Sequence, residues 1–173
     1  MEALFLAFWR ILLLRATPQS IPASPSLLWL VLLLHYGVGL LLALFSLPLS
    51  YSLLSALVGT LTMVAVLHGV LLLFKKHARY TQSVTALAGG EALLGLMLLP
   101  LSLLYYFGDG ADGLRLLLAL LSLLILGWNV ALTSHILRHT LEVPAGIGFI
   151  LSVVYLLISM NIGELVSVAG GAG

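Results

Sequence analysis

Apolar residues run along this chain in long stretches broken by short polar punctuation, and the stretches have the length a bilayer demands. A helix that crosses a membrane needs roughly 20 mainly apolar residues. Five segments meet that length, at about residues 27–47, 51–74, 84–107, 114–137 and 145–165. The punctuation between them has physical content. Ser24 followed by Pro25 is an N-cap with proline at the first helical position, and Pro48 closes the first span. Lys75-Lys76-His77-Ala78-Arg79 stops the second. Gly108-Asp109-Gly110 is a turn sequence after the third, Arg138-His139 stops the fourth, and Pro144 precedes the fifth.

Residues 1–16 differ. The apolar run from Met1 to Leu14 is too short to span and is interrupted by Arg10. A proline-rich connection from Thr17 to Pro25 follows. This pattern predicts a helix lying in the membrane interface with Arg10 and Arg15 reaching for headgroups; a half-inserted first span is the alternative. Glu2, the lack of a basic leader and the lack of an A-x-A-like site predict that the segment is retained rather than cleaved.

Composition changes the picture in one direction. Of 173 residues 62% are hydrophobic and 8% charged, against about 45–50% apolar and about 25% charged in soluble domains. So little charge cannot cover a water-facing surface, and the solvent of this fold is lipid. A net charge of +1 leaves no broad footprint for nucleic acid. The absence of cysteine excludes disulfides, thiolate metal sites and thiol nucleophiles. With the N-terminus cytoplasmic, five spans put six of the seven basic residues on that side, leaving only Arg115 outside, as the positive-inside rule requires.

Ionisable groups within spans cost free energy and normally face the bundle interior with partners. His35, His68, Glu91 and Asn129 are such residues. At 1.5 Å of rise per residue, His35 lies roughly 12 Å into its span and His68 roughly 10 Å before Lys75. Glu91 and Asn129 fall at similar distances from the same side, so all four share one layer in depth. Two imidazoles and a carboxylate can ligate zinc or another divalent ion. The same groups can relay a proton, or they can hydrogen-bond helix to helix and hold the bundle together. Depth does not choose among the three.

His135, Arg138, His139 and Glu142 fall on one helical face by their spacing. With Lys75, Lys76 and Arg79 close by, they predict a basic patch for lipid headgroups or a partner. Gly37, Gly39, Gly59, Gly89, Gly90, Gly95, Gly146 and Gly148 predict close helix approach, and Pro100 predicts a kink in the third span. No G-x-S-x-G, P-loop, H-E-x-x-H or G-x-G-x-x-G motif is present. The expectation is a protein that is not an enzyme and that needs no cofactor.

The stretch from Leu14 to Ser24 before the first span resembles the Yip1-domain family, as does the run from Trp128-Asn129 through His135-Ile136-Leu137-Arg138-His139. The chain is also similar to small bacterial membrane proteins loosely attached to that family. The resemblance implies five spans, a cytoplasmic N-terminus and a C-terminus on the far side. Eukaryotic members bind small GTPases through a longer N-terminal region that this chain lacks, so the resemblance implies a fold rather than an activity. The expected architecture is an all-α polytopic bundle. It comprises an N-terminal interfacial helix and linker (1–26), a five-span domain (27–165) and a disordered tail (166–173). The expected role is accessory or membrane-organising. The alternative is a small transporter or channel subunit that uses the His/Glu layer for proton or ion coupling. The bilayer is its partner, with a second copy or another membrane protein as the protein partner open to it. The short loops point to a bacterial inner membrane.

Overall fold

A computed structural model describes residues 2–108 and 112–169. Those residues form six α-helices and no strand: α1 Glu2–Leu12, α2 Pro25–Ala43, α3 Leu49–Leu73, α4 Tyr80–Phe107, α5 Asp112–Leu141 and α6 Ala145–Ala169. Helices α2 to α6 are long and apolar enough to cross a membrane. In lipid every backbone polar group must be satisfied internally, and a continuous helix achieves this within its own segment. The capping expectation holds, since the Ser24 hydroxyl accepts from the Leu27 amide at 3.3 Å and Pro25 opens α2.

Several boundaries move. α2 stops at Ala43 rather than near residue 47, and α4 begins at Tyr80 rather than residue 84. Helix α5 continues through His135 and His139 to Leu141. Helix α6 reaches Ala169, so residues 166–169 of the expected tail are helical, while residues 170–173 lie outside the described residues. Helix α4 runs unbroken through Pro100.

The five long helices close a ring. α4 packs on α2, α2 on α3, α3 on α6, α6 on α5, and α5 on α4. Small residues set the spacing where these contacts are tightest. A Cβ on Gly90 would stand 2.7 Å from Leu132 of α5, and one on Gly95 would stand 2.5 Å from Val38 of α2. At Gly148 the obstacle is backbone, with the Ser134 carbonyl oxygen 2.9 Å away. Gly37, Gly59 and Gly146 have nothing within 4 Å of that position and do not serve close approach.

The N-terminal segment is a separate short helix, and it is built into the bundle. Ile11, Leu12, Pro18 and Ile21 are buried, and the Phe8 ring lies against Gly89, where a Cβ would meet it at 2.3 Å. Backbone carbonyls tie the rest down. The Trp128 indole donates to the Leu12 carbonyl at 2.9 Å, and His135 Nε2 donates to the Ala16 carbonyl at 2.9 Å. Gln82 donates to the Ile21 carbonyl at 2.9 Å, while Gln19 donates to the His139 carbonyl at 3.0 Å. The segment therefore runs along α4 and α5, fastened to them by protein contacts.

The basic end of the bundle is held by an ion cluster. Glu142, just past α5, pairs with both Lys76 and Arg79 from the α3–α4 connection. Arg79 also donates to the carbonyls of His139 at 3.3 Å and Thr140 at 2.9 Å, capping the end of α5. Leu14, Lys75 and Glu142 each sit at positive φ (59°, 56° and 59°) just past a helix. That conformation costs a residue with a side chain roughly 1–2 kcal/mol. It lets the next amide bond back around the helix end, from Arg15 to Arg10 at 2.8 Å, Lys76 to Leu71 at 2.8 Å and Val143 to Arg138 at 3.1 Å.

The spacing argument predicts a contrast between two glycines. Gly148→Ala should destabilise the detergent-solubilised protein by about 1–3 kcal/mol, because the clash is with backbone that cannot turn away. Gly59→Ala should leave stability unchanged or raise it by up to about 1 kcal/mol, since alanine is the better helix former. Thermal unfolding of the two variants checks this, and equal melting temperatures would contradict it.

Candidate functional site

Four helices of the ring send a side chain to its centre. From α2, His35 places Nε2 3.2 Å from Glu91 Oε2 of α4. Its other nitrogen, Nδ1, is 3.0 Å from the Thr60 hydroxyl of α3. From α6, the Tyr155 hydroxyl donates to both Glu91 oxygens, at 2.9 and 3.1 Å. The side chains of His35 and Glu91 are only 17% and 10% exposed.

More than one arrangement of protons satisfies these contacts. The Thr60 hydroxyl donates to the Ala56 carbonyl at 2.9 Å. If that proton stays there, Thr60 accepts from a protonated His35 Nδ1; if it turns to His35, Nδ1 accepts and Nε2–H donates to the Glu91 carboxylate. In the first case the contact between Nε2 and Oε2 needs one further proton. Either an imidazolium donates to a carboxylate, or a neutral carboxyl donates to a neutral imidazole. With no proton there, two lone pairs would face each other across 3.2 Å. The pair holds one proton between its two atoms, and the Tyr155 hydroxyl satisfies the carboxyl in either form.

Glu91 has a second face. Between α4 and α5 lies a cavity of about 640 Å³ whose polar lining is Glu91, Asn129, Ser102, Ser122, Tyr105 and Tyr106. Toward the basic end the two helices touch, with Gly90 against Leu132 and the Ser83 hydroxyl 2.9 Å from that of Thr140. The cavity occupies the space beyond that contact, with Glu91 and Asn129 at its inner end and the two tyrosines toward the far end of α4.

The residues expected to form one layer divide accordingly. His35 and Glu91 are in direct contact, and Asn129 shares the cavity wall with Glu91. His68 does not join them. Its exposed ring packs edge-on against Tyr80 at the start of α4, with centroids 5.4 Å apart. Equal depth on the helix axis left its azimuth free, and α3 turns Thr60 rather than His68 toward His35. Among the described residues no three His, Asp or Glu side chains come together as metal ligands, so the three-residue set that the metal reading needed is not assembled.

The expected basic patch is largely used up within the protein. Lys76 and Arg79 are taken by Glu142. His135 is bonded to Ala16, and its ring meets that of His139 at 4.5 Å. Lys75 and Arg138 remain exposed. Hydrogen bonds from Lys76 and then Arg79 hold the Glu142 carboxyl at about 2, below its ordinary 4.5. A carboxyl depressed on folding stabilises the fold above its ordinary range, and that contribution is lost as pH falls from about 4.5 toward 2.

Thr60 and Tyr155 are the functional side chains that sequence reasoning missed. Ser152, Tyr155 and Ser159 mark a polar stripe at three- and four-residue spacing on an otherwise apolar span, and that stripe was the available signal. Comparison with protein-family models, curated proteins and solved structures found no match.

The direct contact predicts coupled mutational effects. His35→Ala and Glu91→Gln should each strand a partner at a typical cost of about 1–3 kcal/mol. The double variant should cost clearly less than the sum. His68→Ala, which breaks only an edge contact with Tyr80, should add to either within about 0.3–0.5 kcal/mol. Unfolding of the single and double variants in detergent measures both relations, and additivity between His35 and Glu91 would contradict the pairing.

Proposed function

We propose that this protein is a non-enzymatic, multi-pass membrane protein whose His35–Glu91 pair binds and releases a proton at the inner end of the α4–α5 cavity. It would be the working centre of a small transporter or channel subunit. One observation carries this reading: the carboxyl that shares a proton with His35 also lines a cavity of about 640 Å³. A group that only ties helices together is best served by a dry, enclosed setting. A group that exchanges protons or ions needs a route to the outside.

The distribution of basic residues supports a cytoplasmic N-terminus and basic end, with the C-terminus on the far side, and the short loops support a bacterial inner membrane. A second reading, the accessory or membrane-organising role of a Yip1-like protein, draws on a different observation. At the basic end the polar side chains of Gln19, Gln82, Trp128 and His135 are taken up in fastening the N-terminal segment to the bundle. That is the use of polar groups as helix adhesive.

Infrared titration separates the two. Under the proton-exchange reading, a protonated-carboxyl band in the purified protein responds reversibly to bulk pH and disappears in Glu91→Gln. A carboxyl band that ignores bulk pH in the folded protein would remove the proton-exchange reading and leave the accessory one.

A further inference from the structure

The charge state of the central pair points to what the cavity holds. With one proton on His35 Nδ1 and a second in the Nε2–Oε2 contact, the His35–Glu91 pair is neutral overall. Without that proton it carries one net negative charge facing Glu91's side of the cavity. A buried charge is tolerated only when paired. Among the described residues named against Glu91 or along its cavity, no other group supplies the compensating positive charge. The titratable groups facing Glu91 are His35 from α2 and Tyr155 from α6. α3 offers the Thr60 hydroxyl, α5 offers the Asn129 amide, and α4 itself offers Tyr105 and Tyr106 further along the cavity. None of these is a fixed cation. Loss of the proton therefore creates a vacancy for one positive charge.

The walls define which cation fits. Apart from the six polar residues the cavity is lined by aliphatic side chains such as Leu94, Leu98 and Leu126, so a hydrated metal ion would lose its water for little return. Its volume lies within the roughly 300–1,000 Å³ of pockets that hold drug-sized molecules. Tyr105 and Tyr106 lie 14 and 15 residues further along α4, roughly 21 Å from Glu91, and bound only the far end of the cavity, so Glu91 alone holds the cation's charge. An anionic lipid headgroup would meet Glu91 with like charge.

We propose that the α4–α5 cavity binds a lipophilic monocation, an amphiphile with an amine or quaternary centre, whose charge replaces the shared proton beside Glu91. The proposal rests on the proton-exchange reading. Binding and proton release are then two sides of one exchange: the cation enters, the pair gives up one proton, and the net charge of the site is unchanged.

Equilibrium dialysis of the full-length protein in neutral detergent tests this with two probes of one shape and opposite charge, tetraphenylphosphonium and tetraphenylborate. Tetraphenylphosphonium should bind saturably, and tetraphenylborate should not. With one proton exchanged per cation, affinity should fall about tenfold for each unit by which the pH is lowered where the site is protonated. Glu91→Gln should abolish binding and Glu91→Asp, which keeps the charge, should retain it. Ser122→Trp, which fills the cavity, should lose the cation. Equal binding of both probes, or binding that survives Glu91→Gln, would overturn the proposal. So would an absence of tetraphenylphosphonium binding in a chain whose carboxyl still titrates, and that outcome would leave the proton-exchange reading standing.

Discussion

A carboxyl group set among hydrocarbon helices has few stable arrangements, and the rest of this bundle is organised around the one it adopts. Glu91 is one-tenth exposed and is reached by two hydrogen-bonding side chains from two other helices. His35 shares a proton with it, and Tyr155 donates to both of its oxygens. Thr60 in turn fixes which nitrogen of His35 faces Glu91. Each contact requires its helix to stand at a given height and rotation, so the hydrogen bonds specify the ring order as much as the apolar packing does. Lipid gives apolar side chains little reason to prefer one neighbour over another, and polar contacts supply that preference.

Helix α4 can carry this group because its neighbours approach closely. Gly89, Gly90 and Gly95 flank Glu91 and face α1, α5 and α2 respectively. Removing side chains at those positions brings Phe8, Leu132 and Val38 within van der Waals reach of the α4 backbone. The same narrow waist explains the cavity. Below Glu91, small and hydroxyl residues join α4 to α5, as in the Ser83–Thr140 bond. Beyond Glu91 the two helices leave a space that its carboxyl lines. Packing and accessibility therefore meet at one residue, which sits at the junction between the closed and open parts of the bundle.

Much of this architecture was legible in the chain. Span number, approximate bounds and the segregation of basic residues follow from length and composition, which the bilayer constrains directly. Depth was legible as well, and it correctly put His35 and Glu91 at one level. Azimuth was not. His68 sits on α3 only eight positions from Thr60, yet its exposed ring meets Tyr80. Tyr155 was passed over because a tyrosine within a span reads as apolar mass, and its hydroxyl acquires meaning only when α6 faces α4. The fastening of the N-terminal segment was hidden for another reason. Its acceptors are the backbone carbonyls of Leu12, Ala16 and Ile21, which look alike at every position of any sequence. Glu142 was read onto the face of the basic patch, but its pairing with Lys76 and Arg79 needs the fold to bring the α3–α4 connection beside the end of α5.

The account turns on Glu91 being a protonatable carboxyl that can be reached from the apolar side of the bundle. A lipophilic carbodiimide, which reacts with a protonated carboxyl to form a stable N-acylurea, tests this in membranes, with the modified residue located by mass spectrometry. The expected adduct is on Glu91, formed faster at low pH, while a water-soluble carbodiimide favours the exposed Glu164. Failure of the lipophilic reagent to modify Glu91 at any pH, or equal modification of Glu91 by both reagents, would contradict an accessible intramembrane carboxyl at the inner end of the cavity.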